Sequence, residues 1–136
     1  IYRSSMGELF RIKDTPKMDW NVIADSVKTI LGYECQMAET TFRGRHWKVW
    51  FTLDIPLSIG PWKFGGLPGL VLQAESSGFL KIEGYKILTK GLTPIKFYNY
   101  YNKKATDIDR KKFLKETSAP SRYPKGTFIT PKMELE

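Results

Sequence analysis

The clearest pattern in the chain is a regular alternation of apolar and polar residues between positions 46 and 55. Successive side chains of a strand point to opposite faces, so the alternation predicts a half-buried β-strand that ends at Pro56. A shift of one residue in its register would expose every apolar group on the buried side, which fixes the pairing. The residues predicted to face the core together are Trp47, Val49, Phe51, Leu53 and Ile55.

Alternation elsewhere predicts further strands at residues 8–13, 20–24, 70–75 and 79–87. Residues 26–42 are predicted to form one long strand with Cys35 on its apolar face. A helix over the first half of this segment is the alternative, which Gly32 disfavours. Turn signals at residues 43–45 and 76–78 lie between alternating runs and predict hairpins, so neighbouring strands are expected to be antiparallel.

Residues 57–69 contain glycines and prolines that exclude a regular element, yet Trp62, Phe64 and Leu67 are too apolar for a solvated loop. We expect a structured loop that packs its aromatic side chains onto the domain, or one that borders a ligand pocket. Residues 93–101 are rich in aromatic residues and are predicted to be extended. An N-cap signal at residues 106–109 predicts a short helix that continues to about Glu116.

These elements predict an all-β or β-dominated α+β fold: a curled antiparallel sheet or partly open barrel with one short C-terminal helix. We expect a single β-rich domain over residues 1–117, followed by an irregular or partly disordered tail over residues 118–136, which has three prolines and few apolar residues. No apolar stretch approaches the ~20 residues that a membrane-spanning helix needs.

Composition narrows the chemistry. The single cysteine excludes an intramolecular disulfide, and the single histidine, His46, excludes a multi-histidine metal site. His46 is predicted on the polar face and Cys35 on the apolar one, so a Cys-His nucleophile is disfavoured. We therefore predict no catalytic residues, no metal and no cofactor. The net charge is +8, and its excess lies in residues 86–136, which could contact a polyanion or could be a solvated lysine-rich face.

Several short motifs occur in order along the middle of the chain. They are Tyr33-x-Cys35-x-x-Ala38, Phe42-Arg43-Gly44-Arg45, Trp50-Phe51-Thr52, Asp54-Ile55-Pro56, Gly60-Pro61-Trp62-Lys63-Phe64 and Gly66-Leu67-Pro68-Gly69-Leu70-Val71. This series resembles the GLPGLI family, with Val71 in place of the final Ile, over about residues 30–75. The resemblance implies an exported protein of the periplasm or cell envelope of Bacteroidota. It also implies a removed signal peptide, which would account for the first residue not being Met, and no established activity.

Basic groups beside aromatic rings could form a ligand site, although a surface turn with local salt bridges is the favoured explanation for them. The residues predicted to bind a ligand are Arg43, Arg45, Trp50, Trp62 and Lys63. We expect a non-enzymatic envelope binding or accessory module whose partner is an unknown envelope protein or small ligand; the oligomeric state stays open. Alternatives are a hydrolase that uses Glu39, Asp54 or Glu75, and a polyanion or nucleic-acid binder, of which nucleic acid is the less favoured partner.

Overall fold

The computed structural model describes residues 2–5, 8–94 and 104–118. These residues form a β-dominated fold with one short helix and no closed barrel, as the sequence predicts. The strands are β1 (Tyr2–Ser5), β2 (Glu8–Lys13), β3 (Asn21–Ile30), β4 (Tyr33–Phe42), β5 (Arg45–Thr52), β6 (Leu70–Ser76), β7 (Leu80–Glu83) and β8 (Thr106–Asp109), and the helix is α1 (Arg110–Ser118).

The described residues divide into two compact units. Residues 16–92 contain a five-stranded antiparallel sheet in the order β3-β4-β5-β6-β7. Residues 2–5, 8–15, 93–94 and 104–118 contain a three-stranded sheet in the order β1-β2-β8, followed by α1. The predicted division into one domain over residues 1–117 and a tail stays a prediction. The predicted extended segment 93–101 lies mostly outside the described residues, and residues 119–136 of the predicted tail lie outside them entirely.

Two tight turns build the first three strands of the larger sheet. Arg43 and Gly44 have φ values of 49° and 76°, and they join β4 to β5 as the sequence predicts. Leu31 and Gly32 have φ values of 54° and 83° and join β3 to β4 in the same way. Positive φ at both central residues is the geometry of a two-residue hairpin turn. The prediction of one long strand over residues 26–42 is therefore wrong, because Gly32 turns the chain back.

One face of this sheet carries the apolar core of the unit. Ala38, Val49 and Ala74 lie side by side on β4, β5 and β6 and are fully buried, and Trp47 and Phe51 extend this face along β5. The predicted burial of Trp47, Val49 and Phe51 is confirmed. That of Leu53 is wrong, because β5 ends at Thr52 and leaves 51% of Leu53 exposed.

The loop of residues 57–69 covers the apolar face. Phe64 and Leu67 are buried against the sheet, and the Phe64 ring meets the Trp47 ring edge-on at 4.9 Å between centroids. The Trp20 ring also packs on Phe64, and its Nε1 donates a hydrogen bond to the Gly65 oxygen at 2.8 Å. The loop thus packs its own aromatic side chains onto the sheet, as the sequence predicts.

The smaller unit is built from two separate segments of the chain, and its sheet pairs a strand of the first segment with a strand of the second. β2 runs antiparallel to β1 and parallel to β8, and the Phe10 ring contacts the Phe113 ring of α1 at 5.4 Å. α1 begins at Arg110 rather than near Thr106, because residues 106–109 pair with β2. The Asp109 carboxylate caps the helix, accepting hydrogen bonds from the backbone N–H groups of Lys111 and Lys112 at 2.8 and 3.2 Å.

Candidate functional site

The face of the five-stranded sheet opposite the core is lined by polar and charged side chains, and we call it the polar face. Its central row joins Met37, Trp50, Gln73 and Glu83 across β4 to β7. The next row joins Glu39, Lys48, Glu75 and Lys81. Because strand side chains alternate, these residues lie on the side away from Val49 and Ala74.

The sheet is curled, and the polar face is its concave side. In a flat sheet the two edge strands would be four spacings apart, about 19 Å. Instead, a Cβ built on Gly84, just after β7, would lie 3.8 Å from Cδ1 of Leu31, just after β3. Lys28 on β3 also reaches over the two intervening strands to Gln73 on β6. The curl brings Lys28 of the edge strand β3 over the Trp50 ring and within hydrogen-bond distance of Gln73.

Lys28 lies at the centre of this concavity. Its Nζ donates a hydrogen bond to Oε1 of Gln73 at 2.6 Å and lies 4.1 Å from the centroid of the Trp50 ring. Burial lowers the pKa of Lys28, and the opposing charges of Glu75 and Lys81 act on it more weakly. Lys28 is not among the residues predicted from the sequence, because its partners are distant in sequence and meet it only through the curl of the sheet.

Alternating charges form the second row of the polar face. Oε1 of Glu39 lies 3.6 Å from the Lys48 ammonium, and Oε2 lies 3.8 Å from Nε2 of His46. Lys81 forms an ion pair with Glu83 at 2.7 Å. Ion pairs with this exposure stabilise the fold little.

A groove of about 440 Å³ lies beside this charged row, at the turn between β6 and β7. Its size falls within the usual range for small-molecule sites. Amines, a carboxylate, hydroxyl groups and one aromatic ring all border it. The lining residues are His46, Lys48, Glu75, Ser76, Ser77, Gly78, Phe79, Leu80 and Lys81.

Two small residues lie buried on the polar side of the sheet. Cys35 pairs with Lys28 across β3 and β4 and is fully buried, and burial raises the pKa of its thiol. The predicted burial of Cys35 is confirmed, but its predicted place on the apolar face is wrong, because the register puts Cys35 on the same side of the sheet as His46. The Thr52 hydroxyl is also buried and accepts a hydrogen bond from the Asp54 backbone N–H at 3.2 Å.

The five residues predicted to bind a ligand do not form one cluster. Trp50 lies on the polar face, whereas the Trp62 ring packs against Phe42 and Trp47 on the core side. Basic groups lie over aromatic rings at separate places in the described residues, with Lys63 over Trp62 at 5.3 Å, Arg43 over Phe42 at 4.7 Å, Arg45 over Phe79 at 3.6 Å and Lys28 over Trp50 at 4.1 Å. A ligand-binding role for Arg43, Arg45, Trp50, Trp62 and Lys63 stays a prediction, and the geometry assigns Trp50 to a different surface from Trp62.

The structure also shows where the three carboxylates of the alternative hydrolase prediction lie. Glu39 and Glu75 flank Lys48 in one row of the polar face, whereas Asp54 lies exposed beyond the end of β5. Within the described ranges, no three His, Cys, Asp or Glu side chains are grouped so as to hold a metal ion. No helix in the described part of the chain is long and apolar enough to cross a bilayer.

The glycine-rich segment serves the shape of the fold. A Cβ on Gly69 would collide with the carbonyl group of Thr52, and one on Gly60 would lie 2.7 Å from Cβ of Val71. The Gly66 N–H donates a hydrogen bond to the Ser58 hydroxyl at 2.9 Å. Glycine is required where backbone and sheet approach this closely.

The fold is a curled antiparallel sheet with the apolar core on one face and polar side chains on the other, concave face. Compact β modules of this class can present polar groups to a ligand. The family described as the N-glycanase peptide, N-terminal domain, matches residues 13–113, which is more than half of the chain. The chain belongs to this family.

Structural comparison agrees on the fold. The structure of PNGF-II in the C2 space group aligns with 82% of this chain at a TM-score of 0.56 and 23% identity. The alignment covers 21% of the PNGF-II chain, so the present chain corresponds to a small part of that protein. No curated protein matches the chain.

The family match corrects one expectation. Residues 30–75 resemble GLPGLI proteins in their short motifs, but the matching family is the N-glycanase N-terminal domain, so the GLPGLI assignment is wrong. Two glycines of these motifs, Gly60 and Gly69, are explained by their close approaches to the sheet. The Bacteroidota origin that this resemblance implied loses its basis with it.

Proposed function

We propose that this chain is a glycan-binding accessory domain of an N-glycanase and that the polar face with its groove is the surface that contacts the glycan. Two lines of support converge. Membership of the N-glycanase N-terminal domain family links the chain to enzymes named for acting on N-glycans. The second is the grouping of an aromatic ring, an amide and charged side chains on one concave surface.

The observation that carries the proposal is the position of Trp50 beside Gln73 in the centre of the polar face. Sugars present both apolar C–H patches and hydroxyl groups. An aromatic ring covers the first, while amides, carboxylates and amines bond the second. The groove next to this pair adds Glu75, Lys48 and the Ser77 hydroxyl within the same surface.

The proposal is tested by titrating an N-linked oligosaccharide into the isotope-labelled chain and following backbone amide shifts by NMR. We expect shifts to concentrate on β5, β6 and the β6–β7 turn. Trp50→Leu should weaken binding at least about tenfold, since it removes the stacking ring. Ile59→Ala is the matched control, because Ile59 is exposed on the loop that covers the opposite face.

Shifts confined to the loop of residues 57–69, or an unchanged affinity in Trp50→Leu, would contradict this assignment. An exported, cell-envelope location stays a prediction. Cell fractionation of the native host with an antibody against the chain would test it.

A further inference from the structure

The Lys28 ammonium has an environment that a group serving only to donate hydrogen bonds to neutral sugars would not need. It is partly buried, it donates to the neutral amide oxygen of Gln73, and it lies over the Trp50 ring. Within the described part of the chain, no carboxylate lies within ion-pair distance of its Nζ. A partly desolvated cation normally gains most from a direct anionic partner.

The neighbouring charges leave room for such a partner. Glu75 and Glu83 face Lys28 from β6 and β7, but Lys81 opposes them from the same side. Glu83 is itself bonded to Lys81 at 2.7 Å. The ammonium therefore has charges of both signs around it and, among the residues that the structure describes, no carboxylate as a direct partner.

We propose that Lys28 is a specificity-determining residue that makes the polar face prefer glycans carrying an acidic sugar. The carboxylate of that sugar accepts a hydrogen bond from Nζ in place of Gln73, and its ring lies against Trp50. The inference rests on the proposed glycan-binding function and adds the charge of the ligand.

Two physical effects favour the acidic ligand. A carboxylate adds to the hydrogen bond a Coulombic attraction to the ammonium that the neutral amide of Gln73 does not supply, and partial burial strengthens that attraction. A neutral sugar that stacks on Trp50 must displace the Lys28 ammonium from the ring. It brings no negative charge to compensate for the cation–π interaction that is lost. The net charge of +8 also speeds the approach of an anion.

The test compares two N-linked oligosaccharides that are identical except for a terminal sialic acid, by isothermal titration calorimetry at neutral pH and low salt. Wild-type protein should bind the sialylated form about tenfold more tightly. Lys28→Gln should bind both forms within about twofold of each other, and Lys28→Arg should retain the preference. Lys17→Gln removes an exposed lysine outside the groove and should behave as wild type.

The possible results distinguish the role of Lys28 from the proposed glycan binding itself. Equal binding of the two forms by wild type, or a preference that survives in Lys28→Gln, overturns the role of Lys28 while leaving glycan binding intact. No binding of either form overturns the proposed function itself. If Lys28→Gln does not fold by circular dichroism, salt titration of wild type decides: only the sialylated form should weaken as salt rises.

Discussion

The indole N–H of Trp20 donates a hydrogen bond to the backbone oxygen of Gly65 at 2.8 Å and joins segments that are 45 residues apart in sequence. This contact attaches the loop of residues 57–69 to the chain that precedes β3. The same indole ring packs against Phe64, which is buried on the apolar face. The covering of the core therefore depends on a contact outside the sheet itself.

Replacement of this indole should loosen the loop. Trp20→Phe keeps an aromatic ring but leaves the Gly65 oxygen without its donor, so the free energy of unfolding should fall by about 1–2 kcal/mol in urea titration. Tyr85→Phe is the control and should change it by less than about 0.5 kcal/mol, because Tyr85 is 90% exposed. A variant of Trp20 as stable as wild type would show that the loop is held by packing alone.

Gly69 should tolerate no side chain. A Cβ there collides with the Thr52 carbonyl group, so Gly69→Ala should lower the free energy of unfolding by about 3 kcal/mol or more. An added Cβ at Gly78 meets open space, so Gly78→Ala should lower the free energy of unfolding by only about 1 kcal/mol, the cost of an alanine at a φ of +67°. Thermal unfolding followed by circular dichroism compares the two. Equal losses would mean that the backbone around Gly69 shifts to accommodate the added Cβ, because Gly69 has no positive φ.

The Cys35 thiol should be almost inert in the folded protein. It is fully buried and its pKa is raised, so alkylation by iodoacetamide should be at least about 100-fold slower than in urea-unfolded chain. Mass spectrometry of timed samples measures the rate. Rapid alkylation of the native protein would contradict the buried position.

The same thiol predicts a pH effect with a definite sign. Because folding raises its pKa, the unfolded chain loses the proton first as pH rises, and the stability that the neutral thiol provides is lost above its usual pKa. The stability difference between wild type and Cys35→Ala should therefore shrink from pH 7 to about pH 10. Urea titrations at both ends of that range measure it, and a constant difference would refute it.

The cap of α1 should matter more than its surface ion pair. Asp109→Ala removes the acceptor of two backbone N–H groups and should destabilise the helix by about 1 kcal/mol, while Asp109→Asn retains most of the capping. Glu116→Gln breaks only the 4.0 Å contact with Lys112 and should cost less than about 0.5 kcal/mol. Amide hydrogen exchange at residues 111–114 measures both. Faster exchange in Glu116→Gln than in Asp109→Ala would reverse this order.

Local signals explain what could be predicted from the sequence. The strand that carries Trp47, Val49 and Phe51 and the turn at Arg43 depend on neighbouring residues alone, and both were predicted correctly. The turn at Leu31 was missed because residues 26–42 keep an apparent alternation through it. The register shift between Ile23 and Val27 changes which side of β3 faces the core, and no alternation pattern shows such a shift.

The candidate site could not be predicted from the sequence, because its residues come together only through the curl of the folded sheet. Lys28 has an ordinary place in an ordinary strand, and only the curl brings it to Gln73, 45 residues further along the chain. Trp50 was selected for its chemistry. Its association with Trp62 was an inference from sequence proximity, whereas β5 and the loop direct the two rings to opposite sides of the sheet.

Alternate residues of β5 belong to two independent surfaces, with Val49 in the dry interior and Lys48 and Trp50 on the open side. Substitution of an open residue should alter the surface that we propose contacts the glycan and should leave the apolar packing around Val49 nearly unchanged. Under the proposed function, single exchanges on this side would change the ligand preference without a compensating change in the core.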